Sequence, residues 1–160
     1  MASPDEIQIC VDRDSITQLF ARYCHIIDDL LFERLGEVFT PDAVFDYSSL
    51  GTSVKGQPTL LDGIPAFERF LRGTMADVGP GLSRFMTNHL IDVRGDEADV
   101  TSHSTVLNLP QGGLYRSHAV RTPEGWRIDK SVHVWRDYSS VASKVGFDFT
   151  AIRSASANPH

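Results

Sequence analysis

Several kinds of protein are excluded by what this chain lacks. Only two of its 160 residues are cysteines. Cys10 and Cys24 fit neither a metal-binding nor a redox pair by spacing, so the sequence predicts incidental reduced thiols in an intracellular protein, not a disulfide framework. No apolar run approaches the roughly 18 residues that cross a bilayer, and the opening MASPDEIQICVDRD is acidic without the layout of a signal peptide. A cytoplasmic protein with no membrane partner is the expectation. Basic residues are in deficit, 15 against 21 acidic, for a formal net charge of −6; no positive stripe is left to displace counterions from a phosphate backbone, which argues against nucleic acid. Glycine-rich phosphate loops are absent, and the six histidines form no HExxH or His-x-His pattern, so the sequence points to no metal and no cofactor.

What is present suits one compact domain. The hydrophobic fraction is 41% and the charged fraction 22%, ordinary values for a globular chain. At this length roughly 68–70% of the unfolded surface can be buried, enough for a core and an internal pocket. Ser15 and Gln18 have capping-box spacing, and Ile16, Leu19, Phe20, Tyr23, Ile27 and Leu30 follow at helical intervals, predicting a first helix from about Ser15 to Asp29. Phe32, Leu35, Val38 and Phe39 suggest a second short helix, stopped by Pro41. Asp62 can cap a third, with Pro65 in its first turn and Ile64, Phe67, Phe70, Leu71 and Met75 on one side. From Ser83 onward, β-rich runs alternate with the turns RGDE, PQGG and TPEG, which predicts an antiparallel meander. Helices first and strands second is the α+β pattern. The organisation read from this is an N-terminal extension at 1–14, one domain at 15–138, and a C-terminal lid and tail at 139–160.

Two aspartates stand at the end of the first helix. Stepping about 100° per residue puts Asp29 on the solvent side and Asp28 at the border of the apolar face. A carboxylate there must be hydrogen-bonded, paired or protonated, since burying it alone costs several kcal/mol. Two readings follow: a buried pair with an arginine or tyrosine, or a general base whose pKa is raised by apolar surroundings.

The layout of RYCHIIDDLLFERLGEVFTPDAVFDY, TNHLIDVRGDEA and RTPEGWRI resembles the SnoaL-like branch of the nuclear transport factor 2-like superfamily. That resemblance implies a cone-shaped α+β barrel, with three N-terminal helices packed in a curved antiparallel sheet around a deep, mostly apolar pocket. Its members include dehydratases, isomerases, polyketide cyclases, dehydrochlorinases and epoxide hydrolases, alongside non-catalytic binding modules, so the fold alone names no reaction. Residue by residue, the chain is most similar to the scytalone dehydratase family. That family's helix acid corresponds to Asp28 and its water-holding tyrosine to Tyr47, while its second tyrosine falls on Ile27. Its first histidine falls on Arg84, in SRFMTNH with Asn88 nearby, and the GFDFTAI segment resembles its lid, with Phe149 over the pocket mouth. Compared with the ketosteroid isomerase family, Tyr23 matches an oxyanion donor; that family's acid falls on Tyr47. Asp46, one residue earlier, faces the other way in a strand.

These readings give a set of expectations. The chain is a cofactor-free enzyme acting by acid–base chemistry on a small hydrophobic, oxygenated molecule, foremost a dehydratase or related lyase; the alternatives are an isomerase or polyketide-type cyclase, and a non-catalytic ligand-binding module. Asp28, Tyr47 and His133 are the expected catalytic residues. Tyr23, Arg84, Asn88, His103 and Phe149 are expected to bind substrate, with Arg84 either in a salt bridge or in the place of the missing histidine. His89 is expected to face away from Arg84 unless a bulge intervenes. Family resemblance implies a homodimer or homotrimer.

Overall fold

The computed structural model describes residues 3–77, 80, 82–107 and 111–137. The expected lid at 139–160, with Phe149, lies outside these residues. Helix α1 spans Pro4–Asp28, so most of the expected N-terminal extension is its first turns. Its cap is written in SPDE: Ser3 Oγ accepts the Glu6 N–H at 3.2 Å, Glu6 Oε2 accepts the Ser3 N–H at 2.6 Å, and Pro4 opens the first turn. Ser15 instead lies inside the helix, its hydroxyl donating to the Val11 carbonyl at 2.8 Å. At the other end Leu30 takes a left-handed φ of 58°. The Leu31 N–H then donates to the Ile26 carbonyl at 2.8 Å and the Leu30 N–H to that of Ile27 at 3.3 Å, a helix ending more often given to glycine.

The expected second helix is a 3-10 segment, Phe32–Glu37, after which the chain enters strand β1, Phe39–Asp46. Short strands β2 (Ser53–Val54), β3 (Gln57–Pro58) and β4 (Leu60–Asp62) precede helix α2, Ile64–Met75. Asp62 ends β4 and does not cap α2. The cap position is Gly63, whose φ of 79° disfavours other residues and whose added Cβ would stand 3.2 Å from the Pro41 carbonyl.

Strands β5 (Arg84–Arg94), β6 (Glu97–Val106), β7 (Gln111–Thr122) and β8 (Gly125–Asp137) form the expected meander. The sheet order is β4-β1-β8-β7-β6-β5. It is mixed, not antiparallel throughout: β1 joins β8 in parallel, with Phe45 opposite Ser131 and Asp46 opposite Val132. The helices pack against this curved sheet, and Phe39, Phe45 and Phe67 fill the space between. The Phe45 and Phe67 rings stack with centroids 3.9 Å apart. On the outer face of β5, Phe85 and Leu90 stay exposed.

α1 is fastened where the sheet's β7–β8 hairpin turns. Asp12 is only 3% exposed, yet it is fully engaged: Oδ2 accepts from Arg121 Nη2 at 2.8 Å, and Oδ1 accepts from Trp126 Nε1 at 3.0 Å and from Gln8 Nε2 at 3.1 Å. The Arg121 guanidinium also lies 4.6 Å over the Trp126 ring. The hydrogen bond from Arg121, with those from Trp126 and Gln8, holds the Asp12 pKa below the usual carboxylate range. Asp12→Ala leaves Arg121 and the indole N–H without their acceptor. Urea unfolding should show a loss of about 3 kcal/mol. Because the folded pKa is depressed, Asp12 stabilises fully above the unfolded value of about 4 and progressively less as pH falls through the folded pKa, so the variant should also unfold with a weaker dependence on acid.

Candidate functional site

At the other end of the sheet, a cavity of about 260 Å³ opens between α1, α2 and the starts and ends of the long strands. Ile27, Leu50, Val54, Phe70, Leu71, Met75 and Val106 contribute apolar wall. Into this apolar surround project Tyr23 from α1, Tyr47 after β1, Arg84 from β5, Tyr115 from β7 and His133 from β8.

The tyrosines are in contact. Tyr23 and Tyr47 are buried with hydroxyls 3.2 Å apart, and burial pushes both pKa values well above the ordinary phenol value. Both are therefore neutral hydroxyls that can donate. Tyr47 reaches this position because Asp46, the last residue of β1, turns outward and accepts the Ser48 N–H at 2.8 Å, while the Tyr47 N–H donates to the Thr59 carbonyl. Two residues on, the Ser49 hydroxyl donates to the His133 carbonyl at 2.7 Å and accepts the Trp135 N–H at 2.9 Å. One serine thus ties the Tyr47 loop to the strand that carries His133.

His133 is 8% exposed, with its ring centroid 5.2 Å from that of Tyr47 and 4.7 Å from that of Tyr115. Gly113 makes room for it: a Cβ there would lie 3.2 Å from His133 Nε2 and 2.3 Å from the Val134 carbonyl oxygen. Nδ1 is buried and meets no hydrogen-bond partner among the described residues. Burial first, and the charge of Arg84 second, lower the imidazole pKa to about 4, so the ring is neutral near pH 7.

Asp28 stands at the edge of this group and not in it. It is absent from the cavity wall. Oδ2 accepts the Arg84 backbone N–H at 2.7 Å, and Oδ1 lies 3.5 Å from Arg84 Nη1. Its partner is thus Arg84, as in the first of the two readings. The Arg84 side chain is 15% exposed; burial opposes its charge, but Tyr23, Tyr115 and Asp28 more than offset this and its pKa is raised. Asp29 is exposed at the helix cap.

Two expected ligand-binding residues lie elsewhere. His103 is on the exposed face of β6, because Ser102 and Ser104 are the residues of that strand turned inward. Asn88 is exposed in a bulge between Thr87 and Leu90, with a φ of 54°. That bulge shifts the alternation and brings His89 to the inner side, where its ring stacks on Phe20 at 5.1 Å and Nδ1 lies 2.7 Å from Ser102 Oγ. Tyr115 is the residue missed by sequence reasoning; its signal was its place between Gly113 and Ser117 on one face of β7. Cys24 is buried and free, and burial pushes its thiol up to about 11. Among the described residues no three His, Cys, Asp or Glu side chains converge as a metal would need, and no helix is long and apolar enough to cross a membrane.

The chain belongs to the SnoaL-like domain family, whose model matches residues 9–132. It is 33% identical over 131 residues to the uncharacterized protein Rv2910c of Mycobacterium tuberculosis, covering 76% of this chain and 83% of that one. In structure it is similar to an NTF2-like protein with a cystatin-like fold from Novosphingobium aromaticivorans (TM-score 0.68, 24% identity, 90% of this chain and 97% of that chain). It is also similar to LinA (TM-score 0.64, 14% identity, 81% and 89%). These likenesses show the nuclear transport factor 2-like fold and leave the activity to the site.

His133 carries a consequence for stability. Its folded pKa of about 4 lies below the ordinary 6.5, so its contribution is complete above pH 6.5 and is lost as pH falls towards 4, by about 3 kcal/mol in all. His133→Gln should flatten the stability profile across that window, and an NMR titration of the imidazole should give the depressed midpoint directly.

Proposed function

We propose that this protein is a cofactor-free acid–base enzyme acting on a small, largely apolar molecule that carries a carbonyl and a hydroxyl group, foremost as a dehydratase. The observation that carries this reading is the neutral His133 imidazole packed beside the Tyr23–Tyr47 hydroxyl pair inside an apolar cavity. A carbonyl oxygen placed against Tyr47 receives a hydrogen bond whose donor is itself backed by Tyr23, and that bond strengthens as the oxygen gains charge. His133 takes the proton from the carbon next to the carbonyl, giving an enolate. The enolate then expels the hydroxyl on the neighbouring carbon, which leaves as water with the proton from His133. The products are an enone and one water, and the imidazole is returned neutral.

Asp28 acts in this scheme as a positioning residue for Arg84. Isomerase or cyclase chemistry uses the same enolate and differs in where the proton or carbon bond is placed next. A binding-only function has one observation in its favour: the acid matched by resemblance to the dehydratases is engaged by Arg84 and absent from the cavity wall.

A panel of β-hydroxy ketones of one and two rings, followed by the rise in enone absorbance, tests the proposal. Turnover by the wild type should fall about 10²- to 10⁴-fold in His133→Gln and about 10²- to 10³-fold in Tyr47→Phe, with kcat/KM of the wild type losing its base only near pH 4. Turnover unaffected by either substitution sinks this assignment. Tight binding of panel members with no turnover supports the receptor reading instead.

A further inference from the structure

The structure handles Arg121 and Arg84 in opposite ways. Arg121 has its charge matched by two carboxylates, Asp12 at 2.8 Å and Asp96 at 2.8 Å, and lies over the Trp126 face. Arg84 is more enclosed, yet its guanidinium meets Asp28 through a single contact of 3.5 Å, the limit of a hydrogen bond. The short bond from Asp28 goes to the Arg84 backbone N–H instead. No other acceptor engages the guanidinium among the described residues, and Arg84 lines the cavity. A guanidinium offers five N–H donors in a planar fork. Beyond the 3.5 Å contact the fork has no hydrogen-bonded acceptor among the described residues, and Arg84 lines a largely apolar cavity, an arrangement that is costly in isolation and useful for recognition.

We propose that the molecule bound in this cavity carries a carboxylate, held by Arg84 with Tyr23 and Tyr115 beside it. This inference rests on the reading of the cavity as the functional site and names the class of its ligand: a compact carboxylic acid of one or two rings. The cavity volume of about 260 Å³ lies just under the roughly 300–1,000 Å³ of sites for drug-sized molecules, which sets the size. Charge sets the group. One arginine with a carboxylate already near it matches a monoanion. A phosphate dianion calls for further cations, and among the described residues the cavity wall has no lysine and no second arginine. Carboxylate geometry also suits the fork, which can give two parallel N–H···O bonds.

Calorimetric titration of the whole protein at pH 7.5 with benzoate and 1-naphthoate, against benzamide, 1-naphthamide and 1-naphthol, tests this. The acids should bind about 10- to 100-fold more tightly than their amides, the range expected of a charge-assisted pair. Arg84→Gln should abolish the preference, whereas Arg84→Lys should keep part of it. The wild-type ranking needs no variant to fold and decides the matter by itself. Amides equal to or better than the acids, no binding of either acid at millimolar concentration, or tighter binding of the naphthol than of the naphthoate would overturn the proposal. The last outcome would assign Arg84 to developing enolate charge. Acid preference with no turnover of the β-hydroxy ketones by the wild type would count against the catalytic reading alone, so the two can fail separately.

Discussion

A cation enclosed by protein must be matched by an anion or turned towards something that will match it, and the position of Arg84 makes this the governing constraint of the site. Asp28 is the last residue of α1 and Arg84 the first of β5. The 2.7 Å bond from the Arg84 N–H to Asp28 therefore joins the end of the helix to the start of the strand. It fixes where α1 stops against the sheet, and with it where the cavity begins. The same bond occupies Asp28 and leaves the guanidinium weakly matched, so on the proposed reading one contact serves both the fold and the ligand chemistry.

The contrast with Asp12 shows what the helix does along its length. Asp12 and Asp28 are separated by about 24 Å of helix at 1.5 Å per residue, and each ties α1 to the sheet through an arginine. At Asp12 both carboxylate oxygens are engaged and Arg121 meets two carboxylates. At Asp28 the arginine keeps donors in reserve and the end is open. On the proposed reading a stability device and a recognition device are built from the same pair of residue types, distinguished by the partners and the burial of the arginine.

Much of this was legible in the sequence, and the failures have identifiable causes. Helical periodicity separated Asp28 from Asp29, and strand alternation separated Tyr47 from Asp46, because both depend only on local geometry. The start of α1 was misplaced although SPDE carries a complete cap, since Ser15 and Gln18 offered the same spacing nearer the apolar stripe. His103, expected to bind substrate, lies on the outer face of β6 because Ser102 and Ser104 are inward residues of little hydrophobicity; Ser102 serves His89 there, a requirement no pattern announces. The Asn88 bulge reversed the alternation in β5, exposing Asn88 and turning His89 inward. The parallel pairing of β1 with β8 joins strands far apart in the chain, and nothing in either strand specifies the direction of the other.

Arg84 and His133 also affect each other. The groups that face the imidazole are Tyr47, Tyr115 and the Arg84 charge. Burial lowers the His133 pKa most and Arg84 adds to the effect, which leaves the free protein with an available but weak base. A carboxylate seated on the guanidinium cancels the second cause and leaves the first, so the imidazole of the complex is more basic than that of the free protein. Basicity then rises when the cavity is filled by an acid and not when it is filled by a neutral molecule of the same shape. Selection of the ligand and activation of the base become a single electrostatic event, in which the poor match between Arg84 and Asp28 is what gives the ligand's charge its leverage.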